Sequence, residues 1–149
     1  MSEHLTTLEQ FMELFQGSQT YYGESKPTGQ KKANGKAEYK SWINQRAITQ
    51  QDWMEHINGI RHIGTVPIRD DSTCSWGVID VDRYNINHLE LIKIIRERNY
   101  PLVPYRSKSN GLHLFVHMKS VVPAKLMRAK LIEMASDLGI RDETTDIYP

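Results

Sequence analysis

The chain has 149 residues, 39% of them hydrophobic and 25% charged, with a formal net charge of +1 and a single cysteine, Cys74. That length gives one real core rather than two comfortable domains, and so small a charge does not by itself announce a nucleic-acid binder. One cysteine excludes an internal disulfide and a cysteine-rich zinc site, and no apolar run reaches the roughly 18 residues of a membrane span.

Taken in chain order, "TTLEQFMELFQG" predicts a short helix. Leu5, Leu8, Met12 and Phe15 share a face, Thr6 with Glu9 makes a capping box and Gly17 ends it. Residues 17–37 are rich in Gly, Ser and Lys and read as a loop. Its plain reading is a solvated loop; its functional one is a basic arm on a phosphate backbone. "TQQDWMEHING" predicts a helix from Thr49 to Gly59, and "RHIGTVPI" a strand. From Ser75 the pattern sharpens. "SWGVIDVD" is a strand, and "NINHLELIKIIRERN" a helix with Asn87 and Glu90 at its start and Leu89, Ile92 and Ile95 as its stripe. "PLVPY" is an edge strand because of its prolines. "SKSNG" is a turn, "LHLFVHM" a strand, "PAKLMRAKLIEMASDLG" a helix and "TTDIYP" a last strand.

The expected fold class is therefore α+β. An N-terminal α/β unit with a basic loop spans 1–74, and a ferredoxin-like (RRM-like) β-α-β-β-α-β module spans 75–149. Such a sheet places its first and third strands centrally, the fourth beside the first, with both helices on one face. Side chains alternate along each strand. Ile79 and Val81 suit the helix side, so Asp80 and Asp82 point to the open side. Leu112, Leu114 and Val116 likewise leave His113, Phe115 and His117 on the open side, where Asp146 of the last strand joins them.

Carboxylates brought together repel unless a cation lies between them, and oxygen ligands select Mg²⁺ or Mn²⁺. Ions held by aspartates serve phosphoryl and nucleotidyl transfer. Arg106 and Lys108, on the turn before His113, are placed to hold a triphosphate. Each residue alone has a plainer reading. Asp-x-Asp can start a turn, a strand histidine is more often packed or simply exposed, and Asn-Gly is a good hairpin turn. Strand parity, by putting four of them on one face, makes the joint case stronger.

"VIDVD" followed by "SKSNGLHLFV" resembles the archaeo-eukaryotic primase (primase-polymerase) superfamily, in the branch found in phages, mobile elements and CRISPR-associated systems. Its first motif matches Asp80-Val81-Asp82. Its second, a small residue, any residue and His, matches Gly111-Leu112-His113, although the family more often has serine first; Ser107 and Ser109 lie nearby. The segment "TTDIYP" is similar to the family's acidic-Ile-aromatic-Pro segment and points to Asp146. The resemblance covers about residues 53–149, including a lead-in from Trp53 to Pro67.

The resemblance implies template-directed DNA synthesis with two divalent ions on Asp80, Asp82 and Asp146, and with His113 on the incoming nucleotide's phosphates. Arg106, Lys108, Ser109 and Arg69 are then candidate nucleotide contacts, and Lys31, Lys32, Lys36 and Lys40 candidate DNA contacts. Single-stranded DNA, dNTP or NTP and a helicase are the implied partners. The setting is the cytoplasm of a bacterium or an infected host, with no membrane. Family members usually continue with further strands, so a longer protein is expected. The rival readings are an RRM-like single-strand binder using Trp76 and Phe115, a palm-type nucleotidyl cyclase, and a metal-dependent nuclease.

Overall fold

The computed structural model describes residues 6–83, 85–107 and 110–149. They form two compact units, one ending at Asp70 and the other starting at Asp71.

The first unit begins with α1 (Thr7–Phe15), started by the Thr6–Glu9 capping box. Leu5 lies outside the described residues. On α1 the ring that packs is Phe11, edge-on to the buried Trp53 at 5.7 Å. Two strands follow, β1 (Tyr22–Lys31) and β2 (Ala37–Asn44), paired as an antiparallel hairpin. This corrects the loop expected over 17–37. Nearly every side chain on both strands meets water, so neither shows the alternation that signals a half-buried strand. The register shift between Pro27 and Lys31 accommodates the proline and glycine that argued against a strand.

Next come α2 (Gln50–Ile57), capped by Thr49, and β3 (His62–Gly64), which pairs with β1 to complete a β2-β1-β3 sheet. The strand expected over 61–68 shrinks to these three residues. One buried carboxylate, Asp52, ties the unit together. It accepts hydrogen bonds from Thr49 N (2.9 Å) and Oγ1 (2.7 Å), from Arg46 Nη1 (2.6 Å) and Nη2 (3.0 Å), and from Arg61. The Arg46 guanidinium holds the Asp52 carboxyl well below the usual carboxylate range, against the opposing effect of burial.

The second unit runs β4 (Thr73–Val81), α3 (His88–Glu97), β5 (Val103–Arg106), β6 (Leu112–Pro123), α4 (Ala124–Asp137) and β7 (Thr145–Tyr148). Its sheet order, β5-β6-β4-β7, puts the first and third strands in the centre and the last beside the first, all antiparallel. This is the ferredoxin-like order expected from the sequence. Ile79, Val81, Leu112, Leu114 and Val116 point into the core with Leu91 and Ile95 of α3 and Met127, Leu131 and Met134 of α4. Burying each such side chain contributes roughly 1.5–3 kcal/mol before entropy is counted.

Two details differ from expectation. Leu89 is 81% exposed and Leu91 takes its place in the core, because Leu91 and Ile95 stand one helical turn apart and face the sheet together. Strand β6 also runs on to Pro123, pairing Val122 with Cys74 and Pro123 with Thr73 across a bulge. Gly77 permits the close packing of α4. A Cβ there would stand 2.7 Å from Leu131 Cδ1 and 2.9 Å from the Tyr148 carbonyl oxygen.

Candidate active site

The open face of the second sheet carries one row of side chains across all four strands. Asp80 of β4 stands directly opposite His113 of β6 and Asp146 of β7, and His113 stands opposite Tyr105 of β5. Directly opposed side chains on one face have Cβ atoms about 4.5–5.5 Å apart. Asp82 lies just past the strand, where its N–H bonds the Thr144 carbonyl at 2.9 Å and keeps the end of β4 registered beside β7. Asp82 and Asp146 are exposed; Asp80 and His113 are half-buried.

His113 Nε2 is 3.2 Å from Asp80 Oδ1. Hydrogen bonding and attraction by the Asp80 carboxylate push the His113 pKa up, with a smaller push from Asp82 and an opposing one from burial. The approach is off the line of a straight hydrogen bond, and Asp80 Oδ1 is left buried without a well-formed partner. The cationic group that reaches this oxygen in the structure is the His113 imidazolium.

A second row flanks the first: Val103, Phe115, Val78 and Tyr148 stand opposite one another in strand order. Phe115 stacks on His117 at 5.8 Å and meets Tyr105 edge-on at 5.3 Å. Trp76, which the single-strand-binding reading needed exposed, is buried. Burial, then repulsion by Asp146 and Asp80, raises the pKa of the Tyr148 phenol. Tyr105 and Tyr148 were not singled out from the sequence. Tyr148 has the parity of Asp146, but the facing of Tyr105 depends on the β5–β6 register.

Gly111 explains the small residue of the second motif. A Cβ there would lie 2.7 Å from the Val81 carbonyl oxygen and 3.0 Å from Ser107 Oγ, so any side chain would make the start of β6 shift away from the end of β4. The turn before it is closed by Ser107 N–H to the Gly111 carbonyl and Asn110 N–H to the Ser107 carbonyl.

The other candidates fall elsewhere. Lys108 and Ser109 lie outside the described residues. Arg106 is not brought beside His113: it stands opposite Leu112, with helix-side parity, and its Nε donates to Asn110 Oδ1 at 2.7 Å. Arg69 closes the first unit, where its Nε is buried without a hydrogen-bond partner. Lys31, Lys32, Lys36 and Lys40 are all exposed on the β1–β2 hairpin. Trp53 of the lead-in segment is a core residue of the first unit.

Among the described residues no three His, Cys, Asp or Glu side chains are drawn up as a ready metal cage. The donor set still fits a hard divalent cation: it offers carboxylate oxygens, with Asp82 and Asp146 exposed. No described helix is long and apolar enough to cross a membrane.

A family model described as the archaeo-eukaryotic primase domain of the TOTE conflict system matches residues 6–147. The chain belongs to this family. Membership gives it a primase-type, nucleotidyltransferase-like function in a mobile-element and defence branch, with nucleic acid and nucleotides as the substrate classes. The match takes in both units, including the hairpin. No curated relative matches the chain closely enough to add to this.

Proposed function

We propose that this primase-family domain is a template-directed DNA primase-polymerase, with Asp80, Asp82 and Asp146 as its metal-binding carboxylates. The observation that carries the reading is the register of Asp80, directly opposite both His113 and Asp146 on the uncovered face. Mg²⁺ or Mn²⁺ held by these aspartates supplies the positive charge that favours the 3′-alkoxide nucleophile and offsets the charge of the departing pyrophosphate.

The chain's own groups do the rest. Asp80 favours the charged imidazolium of His113, in which both ring nitrogens are donors. With Nε2 turned to Asp80, Nδ1 is left to donate to a phosphate oxygen, where a fixed positive charge stabilises the transition state. Gly111 sets the distance between His113 and the aspartates. Lys31, Lys32, Lys36 and Lys40 contact template phosphates. A cyclase site on this fold has no use for a histidine opposite its first aspartate.

The test is incorporation of labelled dNTPs or NTPs on a single-stranded template, with and without a primer, in Mg²⁺ or Mn²⁺. Polymer that disappears in Asp80→Ala/Asp82→Ala supports the reading. A cyclic nucleotide made from ATP or GTP in place of polymer would overturn it.

A further inference from the structure

Strand β7 is four residues long and lies at the edge of its sheet, where only β4 pairs with it. It carries Asp146 directly opposite Asp80. Like charges so placed repel, and an edge strand has half the ladder of a central one to resist that push.

The ladder uses every second residue of β7. Asp82 N–H donates to the Thr144 carbonyl, so by alternation Asp146 and Tyr148 also turn their backbone groups to β4, and Thr145 and Ile147 turn theirs outward. Outward groups on both sides of Asp146 are taken up within the chain. Thr145 N–H donates to the Asp142 carbonyl at 3.1 Å, and Thr145 Oγ1 donates to the Ile140 carbonyl. Beyond Asp146, Arg128 Nη1 donates to the Ile147 carbonyl and, at 2.9 Å, to the Pro149 carbonyl. Asp146 is thus braced one residue before and one residue after.

Arg128 reaches β7 from α4, which is itself fixed because Met127 and Leu131 are buried in the core. The arginine is exposed. It gives up side-chain freedom to hold two neutral carbonyls, and what those carbonyls fix is the backbone beside Asp146. Its charge works the other way. Arg128 and Asp146 line one cavity, and a guanidinium there opposes the approach of a cation.

We infer that Arg128 is a positioning residue for the carboxylate row: by holding the Ile147 and Pro149 carbonyls it keeps Asp146 in register with Asp80. This role rests on the reading of Asp146 as a metal-binding carboxylate and not on polymer being the product.

The test is titration of the full chain with Mn²⁺, without nucleotide, followed by the electron paramagnetic resonance signal of free Mn²⁺. Arg128→Ala should weaken binding about tenfold, the scale on which lost support of a metal-binding group is felt. Electrostatics alone would give the opposite sign, because a positive charge has been removed. Arg128→Lys keeps a charged donor one atom shorter and should recover part of the loss. Arg141→Ala removes a charge from the same cavity and should not weaken binding. Asp146→Asn should weaken it, and adding Arg128→Ala to that variant should cost little more, since the arginine acts through Asp146. Circular dichroism checks the fold of each variant, and Arg128→Gln gives the same comparison should the alanine variant not fold. Binding that is unchanged or tighter without the arginine, beside weakened binding in Asp146→Asn, overturns the role of Arg128 alone. Unchanged binding in Asp146→Asn, or none in the wild type, overturns it together with the metal-binding reading. Polymer synthesis is no part of the readout, so its absence counts against the polymerase reading only.

Discussion

The two units are held together by opposite means. The second is fastened by an apolar core in which Ile79, Val81, Leu114 and Leu131 are fully buried. The first has strands largely wet on both sides, and beside its buried rings Tyr22 and Trp53 it has a charged knot in which Asp52 takes two arginines and its own helix cap. Both nevertheless place like charges directly across a ladder: Asp80 opposite Asp146, and Lys26 opposite Lys40. Such pairs cost stability in the free protein. Their signs are opposite, negative at the second unit's sheet and positive at the first unit's.

The comparison is broken most severely by removing the carboxylates. Asp80→Ala/Asp82→Ala should take polymer synthesis below detection in the incorporation assay, while the urea midpoint of the second unit holds or rises because repulsion is relieved. Next is the apolar packing. Gly77→Ala should cost about 1–3 kcal/mol in urea unfolding, since the new methyl has the Tyr148 backbone on one side and α4 on the other. That loss should fall on the second unit's transition.

The second unit was legible because burial writes a period into sequence. Alternation from Val78 to Asp82 and from Leu112 to His117 gave the faces, and the faces gave the row of Asp80, His113 and Asp146. The hairpin was not legible because strands wet on both sides carry no such period, and Pro27 and Gly29 look like loop residues until the register shift is seen. Leu89 failed for a similar reason: three apolar residues on one turn of α3 do not say which of them faces the sheet. The place of Arg106 opposite Leu112 was not legible either, because it depends on the β5–β6 register, which proximity in sequence does not give. The small residue before His113 was visible as a motif, and its cause, the Val81 carbonyl, only in three dimensions.

Smaller effects sharpen the contrast. Asp52→Ala should destabilise the first unit by about 2 kcal/mol, since it removes a helix cap and the partner of two arginines. Because the Asp52 pKa is lowered on folding, its contribution is present above about pH 4 and lost as pH falls. Asp52→Asn should therefore flatten the acid limb of the first unit's stability curve. The smallest effect is at His113, whose raised pKa gives a contribution that is full below about pH 6.5 and lost as pH rises through the raised midpoint. It is half-exposed, so solvent screening keeps this small. Asp80→Asn should bring the His113 midpoint, followed by NMR in chelator, back down.

The most direct test of the carboxylate row is titration of the full chain with Mn²⁺, watched at the His113 ring signals. Paramagnetic broadening should reach His113 first in the wild type and be lost in Asp80→Asn/Asp82→Asn. His113 signals that stay sharp in the wild type while others broaden would contradict the account.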